Sequence, residues 1–390
     1  MAFRSCKSIS PIFHFMYDTL IHHRINHNTP TIVRFFETQS IANKSNFTEK
    51  QIISYLTESC GLSLKSALSA AKGVNINSTE KPDSVLKLLR SYGFTETHIS
   101  VLISLTPKLI FADPETNLRP KIEYFKSLGV VGPDLPRIIC SCYMLRYSLE
   151  NRIKPTVNLL QRYLGTNENV ICALKRSIHL DLRNVQKVLV PNINTLQAQD
   201  VPESHIGKLI MLHSRALMSR VDVFKEVTNA VKEMGFDPKS ILFLWAICSM
   251  TMNTKLNWEK KKEACMSFGW SESTFNSAFK LEPRFMLSSE KKIREVIDFL
   301  VNKAGLKASE ISKCPSLFRF SLERRFIPRW SVLQVLMSKG LIRKDVDVVW
   351  VMNRTKENFE TRFLTKYKEV ASEIIKAYDG EIGFQGFSQK

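Results

Sequence analysis

The feature that most restricts the fold of this 390-residue chain is a glycine that recurs at nearly constant spacing. The recurring positions are Gly93, Gly129, Gly165, Gly235, Gly269, Gly305 and Gly340, with Asp200 where one more glycine is expected. The successive steps are 36, 36, 35, 35, 34, 36 and 35 residues. A fixed period of this length is typical of repeat proteins, in which small units stack side by side. We therefore predict an all-α helical-repeat solenoid, a superhelix of about eight three-helix repeats.

Each recurring glycine separates two segments with helical spacing of apolar residues. The segment before Gly305 carries Ile293, Val296, Ile297 and Leu300. The segment after Gly129 carries Leu135, Ile138, Ile139 and Cys142. Residues three and four apart share one face of an α-helix, so both segments are predicted to be helices with one buried face. The glycine is then expected to be the left-handed residue just past a helix end.

Two classes of proline mark the boundaries of the repeats. Pro120, Pro155, Pro191 and Pro328 stand where the first helix is expected to open, because proline is tolerated in the first helical turn. Pro107, Pro283 and Pro315 fall about thirteen residues earlier in the repeat, before a short turn-like segment. One repeat is therefore predicted to run as a short helical turn, a helix, a glycine and a second helix.

These signals divide the chain into four parts. The repeat array is expected over residues 82–350, after a partial capping repeat at 47–81 and before a C-terminal helical cap and tail at 351–390. Residues 1–36 hold four Lys or Arg, four histidines and one acid. That composition indicates an organelle transit peptide, for which we favour the mitochondrion over the chloroplast. The longest uncharged stretch, 240–254, is shorter than the ~20 residues that a bilayer requires, so no membrane span is expected.

The charge balance favours a polyanionic partner. The chain has 56 Lys and Arg against 37 Asp and Glu, a net charge of +19, and the first 36 residues contribute only +3 of it. Because the excess belongs to the repeat array, nucleic acid is the expected partner, bound by a protein that is itself expected to be a monomer.

Basic residues cluster just before and after the prolines that open the first helices, and at the comparable place in a repeat that lacks that proline. Because a helix N-terminus attracts anions, we predict that these residues contact phosphate and that stacked repeats align them in a row. The predicted contacts are Arg119, Lys121, Arg152, Lys154, Lys187, Lys291, Lys292, Arg294, Arg324, Arg325 and Arg329. The alternative is that they pair with acids such as Glu115, Glu150 or Glu323. The run Lys260 to Lys262 is interpreted as a solvated helix face.

The sequence offers no support for catalysis, a cofactor or a metal site. It lacks a GxxxxGK[ST] phosphate loop and the HExxH and GxSxG motifs. Its eight cysteines form no CxxC pair and are interpreted as buried thiols in a reducing compartment. Recurring phenylalanines on the apolar stripe are expected to pack in the core rather than to stack on bases.

The segment PKLIFADPETNLRPKIEYFKSLG at 107–129, with PDSVLKLLRSYGFTETHIS before it and FLTKYKE near the end, resembles the mitochondrial transcription termination factor (mTERF) family, in its land-plant branch. The resemblance covers about residues 47–375. It implies a basic concave groove that binds nucleic acid in organellar transcription or RNA processing. The repeats near His179 and Met250 lack the first proline, and Asp200 replaces a glycine, so these repeats depart from the family pattern.

Three functions stay open at this point. The first is a regulator that binds double-stranded DNA and acts in transcription termination or regulation. The second is an RNA-binding factor for intron splicing or ribosomal RNA maturation, and the third is a scaffold for other proteins, including organellar transcription or RNA-processing proteins. A groove that binds phosphate should lose affinity steeply as salt rises, whereas a scaffold should not.

Overall fold

The computed structural model describes residues 47–141, 144–176, 184–369 and 373–381. These ranges contain helices of the α, 3₁₀ and π types and no β-strand. The predicted transit peptide at 1–36 and the last residues of the tail lie outside them. The chain divides between Val221 and Asp222 into two compact parts, which we call the N-terminal half and the C-terminal half.

The described residues of the N-terminal half contain ten α-helices. They are α1 (Glu49–Glu58), α2 (Leu64–Ala71), α3 (Glu80–Ser91), α4 (Glu96–Leu105), α5 (Arg119–Ser127), α6 (Asp134–Ser141), α7 (Lys154–Leu164), α8 (Asn167–Arg176), α9 (Val190–Gln197) and α10 (Glu203–Leu217). From α3 onward, odd-numbered helices are the first helices of the repeats and even-numbered helices are the second. The second helices α4, α6, α8 and α10 pack against one another in order, which forms one continuous layer.

The C-terminal half follows the same design. Its helices are α11 (Val221–Glu233), α12 (Ile241–Met252), α13 (Lys255–Met266), α14 (Glu272–Leu281), α15 (Glu290–Asp298), α16 (Ala308–Ser312), α17 (Ile327–Ser338), α18 (Val348–Asn353), α19 (Lys356–Phe359) and α20 (Glu373–Tyr378). The second helices α12, α14 and α16 again contact their neighbours. The predicted all-α repeat fold is confirmed in each half.

The backbone at the recurring glycines explains the period. All seven glycines and Asp200 have positive φ and follow the first helix of a repeat, with φ 58° at Asp200 and 72° at Gly305. A Cβ placed on Gly305 or Gly340 would meet nothing within 4 Å. Glycine is therefore favoured at these positions because it adopts the left-handed backbone conformation without strain, and not because a side chain would lack space. Gly61, between α1 and α2, has φ 68°, so the capping repeat turns in the same way.

The apolar stripes read from the sequence form the core. Ile293, Val296, Ile297 and Leu300 are each 0% exposed, as are Ile138 and Ile139. Among the recurring phenylalanines, Phe125, Phe224, Phe299 and Phe318 are buried as expected, whereas Phe111 is half-exposed. Four of the described cysteines, Cys60, Cys140, Cys248 and Cys265, are buried free thiols. Burial raises the pKa of Cys60, Cys140 and Cys265 to about 12, so these thiols are protonated and inert.

The prolines take two structural roles, one of which differs from the prediction. Pro107, Pro283 and Pro315 open 3₁₀ helices, which are the short helical turns that the sequence indicated. Pro120, Pro155, Pro191 and Pro328 are the second residues of their α-helices, as predicted, but the helical backbone begins earlier. In each case a π-helical segment begins six residues before the proline and continues into the α-helix without a break. The π segments are Pro114–Leu118, Leu149–Ile153, Val185–Leu189 and Leu322–Phe326.

The π segment lets a proline sit inside a continuous helix. The amide of Arg119 donates to the carbonyl of Pro114, five residues back, and the amide of Lys154 donates to that of Leu149. Proline lacks an N–H and clashes with the carbonyl four residues before it. Widening the preceding turn into a π-bulge makes room for the ring beside that carbonyl, while the missing N–H is not replaced. The described helices include none with the length and apolar character to cross a membrane.

Candidate nucleic-acid interface

The true helix starts decide which of the predicted cations lie near backbone N–H groups. The capping residues are Asp113, Ser148 and Ser321, whose side chains accept hydrogen bonds from the first amides of the helices. Ser289 caps α15 in the same way. The residue next to a helix-opening proline is therefore about one and a half turns into the helix, farther from its positive end than the sequence suggested.

Three of the predicted cations occupy the third position after the cap. These are Lys187 after Asn184, Lys292 after Ser289 and Arg324 after Ser321. Lys187 and Arg324 are exposed, Lys292 is half-buried, and none of the three forms a salt bridge with another described residue. Partial burial lowers the pKa of Lys292. This position combines a free cation with the positive end of a helix, which is the arrangement that binds phosphate.

Two further cations lie close to the same helix starts. Arg152 stands four residues after the cap Ser148, is half-buried and also forms no salt bridge within the described ranges. Lys291 stands two residues after Ser289, with a side chain 84% exposed and its ammonium 3.7 Å from a Glu295 carboxylate oxygen. A pair that is this long and this exposed contributes little, so Lys291 can turn toward a ligand.

Three other predicted cations are held by carboxylates four residues earlier on their own helices. Arg119 donates two hydrogen bonds to Glu115, one of them 2.7 Å long, and a third to the Tyr92 hydroxyl at 3.1 Å. Lys154 lies 2.6 Å from Glu150, and Arg294 lies 2.5 Å from Glu290. Hydrogen bonds from Arg119 lower the pKa of Glu115. A phosphate must compete with these carboxylates, so the pairs weaken these positions as anion sites.

Two of the predicted cations are buried and serve the fold. Lys121 is 7% exposed and donates to the carbonyl of Leu145 at 2.8 Å and to the Asn117 side chain at 2.6 Å. Arg329 is 2% exposed and donates to carbonyls of the α18–α19 junction, with distances of 2.8 Å to Val351 and to Arg354. Burial lowers the pKa of Lys121 and, with a smaller contribution from Arg325, lowers that of Arg329 to about 10. Neither side chain is available to a phosphate.

The buried donor recurs in other repeats. Asn192, directly after Pro191, is 0% exposed and donates to the carbonyls of Leu217 and Ser219. Lys261 is 8% exposed and donates to Met286 at 2.7 Å, so the prediction of a solvated face for the run 260–262 is wrong at its central residue. In each case the first helix of a repeat satisfies carbonyls at the far end of the same repeat, which would otherwise cost free energy.

Arg325, the last of the predicted cations, is half-buried. Its guanidinium carbon lies 3.8 Å from the centre of the Phe320 ring, and Nη1 donates to the Met352 carbonyl at 3.3 Å. Burial lowers its pKa. The cations without an acidic partner among the described residues thus lie on different helix starts: Arg152 and Lys187 in the N-terminal half, and Lys292 and Arg324 in the C-terminal half, with the weakly paired Lys291 beside Lys292.

The repeated left-handed turns and the stacked helix pairs define a helical-repeat protein with cations at its helix starts. The sequence profile of the mTERF family matches residues 86–254 and 246–360. The chain therefore belongs to the mTERF family, which confirms the resemblance seen in the sequence.

One relative of this chain is the Arabidopsis thaliana protein named "Transcription termination factor MTERF15, mitochondrial". The two are 22% identical over 310 residues, which cover 78% of this chain and 60% of the relative. The chain thus spans about 60% of the length of that protein.

Proposed function

We propose that this chain is an organellar regulator of gene expression that binds double-stranded DNA and acts in transcription termination or its regulation. Membership of the mTERF family and the name of the plant relative support the class and the mitochondrion as its location. The observation that carries the proposal is the set of helix-start cations that have no acidic partner in the described part of the chain, Lys187, Lys292 and Arg324 together with Arg152. Binding through the same cations to organellar RNA is the alternative, because phosphate contacts do not separate the two nucleic acids.

The predicted cations differ in how readily they can bind phosphate. The free cations, with Lys291, are the primary phosphate contacts. Arg119, Lys154 and Arg294 are secondary, because each must leave a carboxylate before it can bind. Lys121 and Arg329 are excluded from the contact set and hold the repeats together.

A matched pair of triple variants tests the proposal. In the first, Lys187, Lys292 and Arg324 are changed to alanine. In the second, Arg119, Lys154 and Arg294 are changed to alanine, which removes the same formal charge from ion-paired positions. Affinity for a duplex is measured by fluorescence anisotropy across a salt series for the full chain and both variants.

We expect the first variant to lose about tenfold or more in affinity at low salt and to flatten the slope of log K against log salt by about 2.7. The second should lose about threefold or less. Equal losses would show that the unpaired cations have no special role. If the full chain binds neither duplex DNA nor RNA, or binds without salt dependence, the nucleic-acid function is wrong and the scaffold hypothesis takes its place.

A further inference from the structure

The capping repeat forms the first end of the N-terminal half, because no described helix precedes it in the chain. It matches the next repeat residue by residue at a distance of 32 positions. Gly61 corresponds to Gly93, and the cap Ser63 of α2 corresponds to the cap Thr95 of α4. In repeat proteins a terminal repeat is expected to show a polar outer face to solvent. Each residue of α3 or α4 that contacts the capping repeat therefore has a counterpart in α1 or α2 that belongs to this outer face.

The first helix of the capping repeat has the expected polar face. Asp83 of α3 accepts a hydrogen bond from the Tyr55 hydroxyl of α1 at 2.7 Å, and Arg90 donates to a carbonyl just past the end of α1 at 3.0 Å. Their counterparts 32 positions earlier are Gln51 and Glu58, both of which are polar and exposed. Helix α1 therefore ends the array with side chains that suit water.

The second helix of the capping repeat has an apolar face instead. A Cβ placed on Gly61 would lie 3.9 Å from the Cβ atoms of Glu96 and Ser100, so these residues of α4 face the capping repeat. Their counterparts on α2 are Leu64 and Leu68, which are 64% and 43% exposed. Residues four apart share one side of a helix. We call the side of α2 that carries Leu64 and Leu68 its open face.

The helices beside the open face indicate what can pack there. Helix α2 contacts α4, and α6, α8 and α10 follow in order, so α2 is the first member of a layer of second helices. A further helix placed against Leu64 and Leu68 would continue that layer with the packing that joins its other members. At the C-terminal end of the chain the protein provides a terminal helix itself, because α20 packs against α17. Among the described residues, none covers the two leucines of α2 in this way.

The charges beside the open face favour an acidic occupant. Lys65 and Lys72 are exposed, α2 itself contains no acid, and neither lysine forms a salt bridge with a described residue. The acid at the start of α4, Glu96, is held by Arg90 through hydrogen bonds of 2.8 Å and 3.0 Å. On α1, Glu58 accepts a hydrogen bond from a serine of its own helix. The complement of the open face is therefore an apolar stripe with acidic margins.

Neither a second copy nor the preceding chain supplies that complement. A symmetric pair of copies would bring Lys65 and Lys72 against the same lysines of the other copy. The segment just before the described residues, ETQSIANKSN at 37–46, has Ile41 and Ala42 as its only apolar residues. The predicted transit peptide carries four Lys or Arg and one acid, so the open face repels it.

We propose that the open face of α2 is a docking site for an amphipathic helix of another protein. The apolar side chains of that helix cover Leu64 and Leu68, and its carboxylates lie near Lys65 and Lys72. The bound helix extends the layer of second helices by one member. The site uses none of the helix-start cations, so the inference stands independently of the proposed nucleic-acid function.

A designed peptide tests the docking site. The probe is a fluorescein-labelled helical peptide of about 16 residues, with leucines on one face and glutamates on both margins. A peptide of the same composition in scrambled order is the control, because a chain of net charge +19 attracts any acidic peptide. Anisotropy titrations of the full chain should give a Kd on the order of 10 µM for the amphipathic peptide and binding about tenfold weaker for the scrambled one. Equal binding of the two peptides, or no binding of either, would overturn the proposal.

Matched variants locate the bound peptide on the chain. Leu64→Gln with Leu68→Gln should weaken binding of the amphipathic peptide about tenfold or more, because the apolar area that the peptide buries is lost. Leu256→Gln with Leu281→Gln is the control, since these leucines of α13 and α14 are 63% and 57% exposed. The control should change affinity by about twofold at most. All four residues are exposed, so the far-UV circular dichroism of both double variants should match that of the unmodified chain. Equal losses would place the peptide elsewhere and overturn the proposal.

The two lysines test the acidic character of the occupant. Lys65→Gln with Lys72→Gln should weaken the amphipathic peptide about threefold and reduce the salt dependence of its binding. Lys260→Gln with Lys280→Gln removes the same charge from exposed positions on α13 and α14 and should have little effect. A peptide with lysines in place of the glutamates should bind about tenfold more weakly than the acidic one. Equal or tighter binding of the basic peptide would contradict the proposed chemistry of the partner.

Two further measurements examine the other occupants. Sedimentation velocity of the full chain should show no self-association that depends on Leu64 and Leu68. Phe13→Ser with Met16→Ser, in the predicted transit peptide, should leave the affinity for the amphipathic peptide unchanged. Self-association that Leu64→Gln with Leu68→Gln abolishes would assign the open face to a second copy. A gain in peptide affinity after the change in the transit peptide would assign it to the chain's own N-terminal segment, and either result would overturn the proposal.

Discussion

Helices α5 and α7 of the N-terminal half and α17 of the C-terminal half start in the same way, but their cations are paired differently. In α5 and α7 of the N-terminal half, the residue before the proline is Arg119 or Lys154, and each pairs with a glutamate four residues earlier. In α17 of the C-terminal half that place belongs to Ile327, so Glu323 has no basic residue one turn later, and Arg324 and Arg325 pair with no acid among the described residues. Because Ile327 replaces a basic residue at this place, the start of α17 lacks the internal ion pair of α5 and α7, and its cations can bind phosphate.

The largest expected difference between the two halves concerns the residue directly after the proline near the start of the first helix, which is Lys121 in α5 and Arg329 in α17. Arg329 donates to the carbonyls of Val351, Met352, Arg354 and Thr355, whereas Lys121 donates to the single carbonyl of Leu145. We expect Arg329→Met to destabilise the C-terminal half by about 3 kcal/mol, because it leaves several buried carbonyls without donors. Lys121→Met should cost about half as much in the N-terminal half.

The measurement for this pair is urea unfolding followed by far-UV circular dichroism. Arg324→Met, an exposed change on the same π segment, serves as the control and should shift the midpoint little. Equal destabilisation by Arg329→Met and Arg324→Met would show that the buried donor does not hold the repeat closed.

A pH series tests the same position in another repeat. Lys261 stands eight residues before Gly269, as Lys121 stands before Gly129. Burial lowers the pKa of Lys261 to about 8. The unfolded chain keeps the ordinary higher pKa and binds more protons above that pH, so stability must rise as pH increases from 8 toward 10.

Between pH 7 and pH 9.5 the gain from Lys261 should be about 2 kcal/mol. Thermal melts of the unmodified chain and of Lys261→Met at both pH values measure it, because other titrating groups cancel in the difference. Lys260→Met, on the exposed face of α13, is the control and should follow the unmodified chain. Parallel pH profiles for Lys261→Met and the unmodified chain would contradict a buried amine that titrates.

A smaller effect is expected at the left-handed turns, where the halves also differ. The N-terminal half places Asp200 at φ 58°, and the C-terminal half uses glycine at each corresponding turn. Asp200→Gly should stabilise the chain by up to about 1 kcal/mol by removing the strain of a side chain in this region. Gly340→Asp should destabilise by a similar amount, since a Cβ there has space but the wrong backbone conformation. Differential scanning calorimetry measures both, and a destabilised Asp200→Gly would point to a role for the carboxylate.

The smallest expected effect concerns the ion pairs Glu115–Arg119 and Glu150–Lys154. Glu115→Gln with Glu150→Gln frees Arg119 and Lys154 and should raise duplex affinity about threefold at low salt. Glu226→Gln with Glu233→Gln makes the same charge change on α11, where no helix-start cation is released. Anisotropy titrations compare the two double variants. An equal gain would mean that net charge alone, and not release of the paired cations, sets the affinity.

The sequence predicted the repeat because its strongest signals are local. A left-handed residue after a helix end has a conformational cost that glycine avoids, so the period of the glycines reports helix ends directly. The π segments could not be predicted in this way, because a hydrogen bond five residues back leaves no compositional mark. The predicted helix starts were therefore displaced, and with them the cations assigned to free N–H groups.

The burial of Lys121 and Arg329 could have been predicted from their spacing along the helix, but their charge favoured an exposed position. Leu118, Lys121, Ile122 and Phe125 keep the spacing of one helix face, and so do Phe326, Arg329, Trp330 and Leu333. The same period that identified the core thus places Lys121 and Arg329 inside it. Which exposed cation meets a carboxylate depends on side-chain geometry, although the spacing of Glu115 and Arg119 four residues apart is itself typical of a helical pair.

Four of the described repeats satisfy carbonyls at their far end with a buried donor from their own first helix, namely Lys121, Asn192, Lys261 and Arg329. A module built this way carries these polar partners with it. Duplication or loss of such a module keeps these donors with their carbonyls, whereas a bond between repeats, such as that from Trp270 Nε1 to the Ala308 carbonyl, has to form again. Arrays of this design can therefore change length in steps of one repeat during evolution, and the reach of the protein along an extended ligand changes in the same steps.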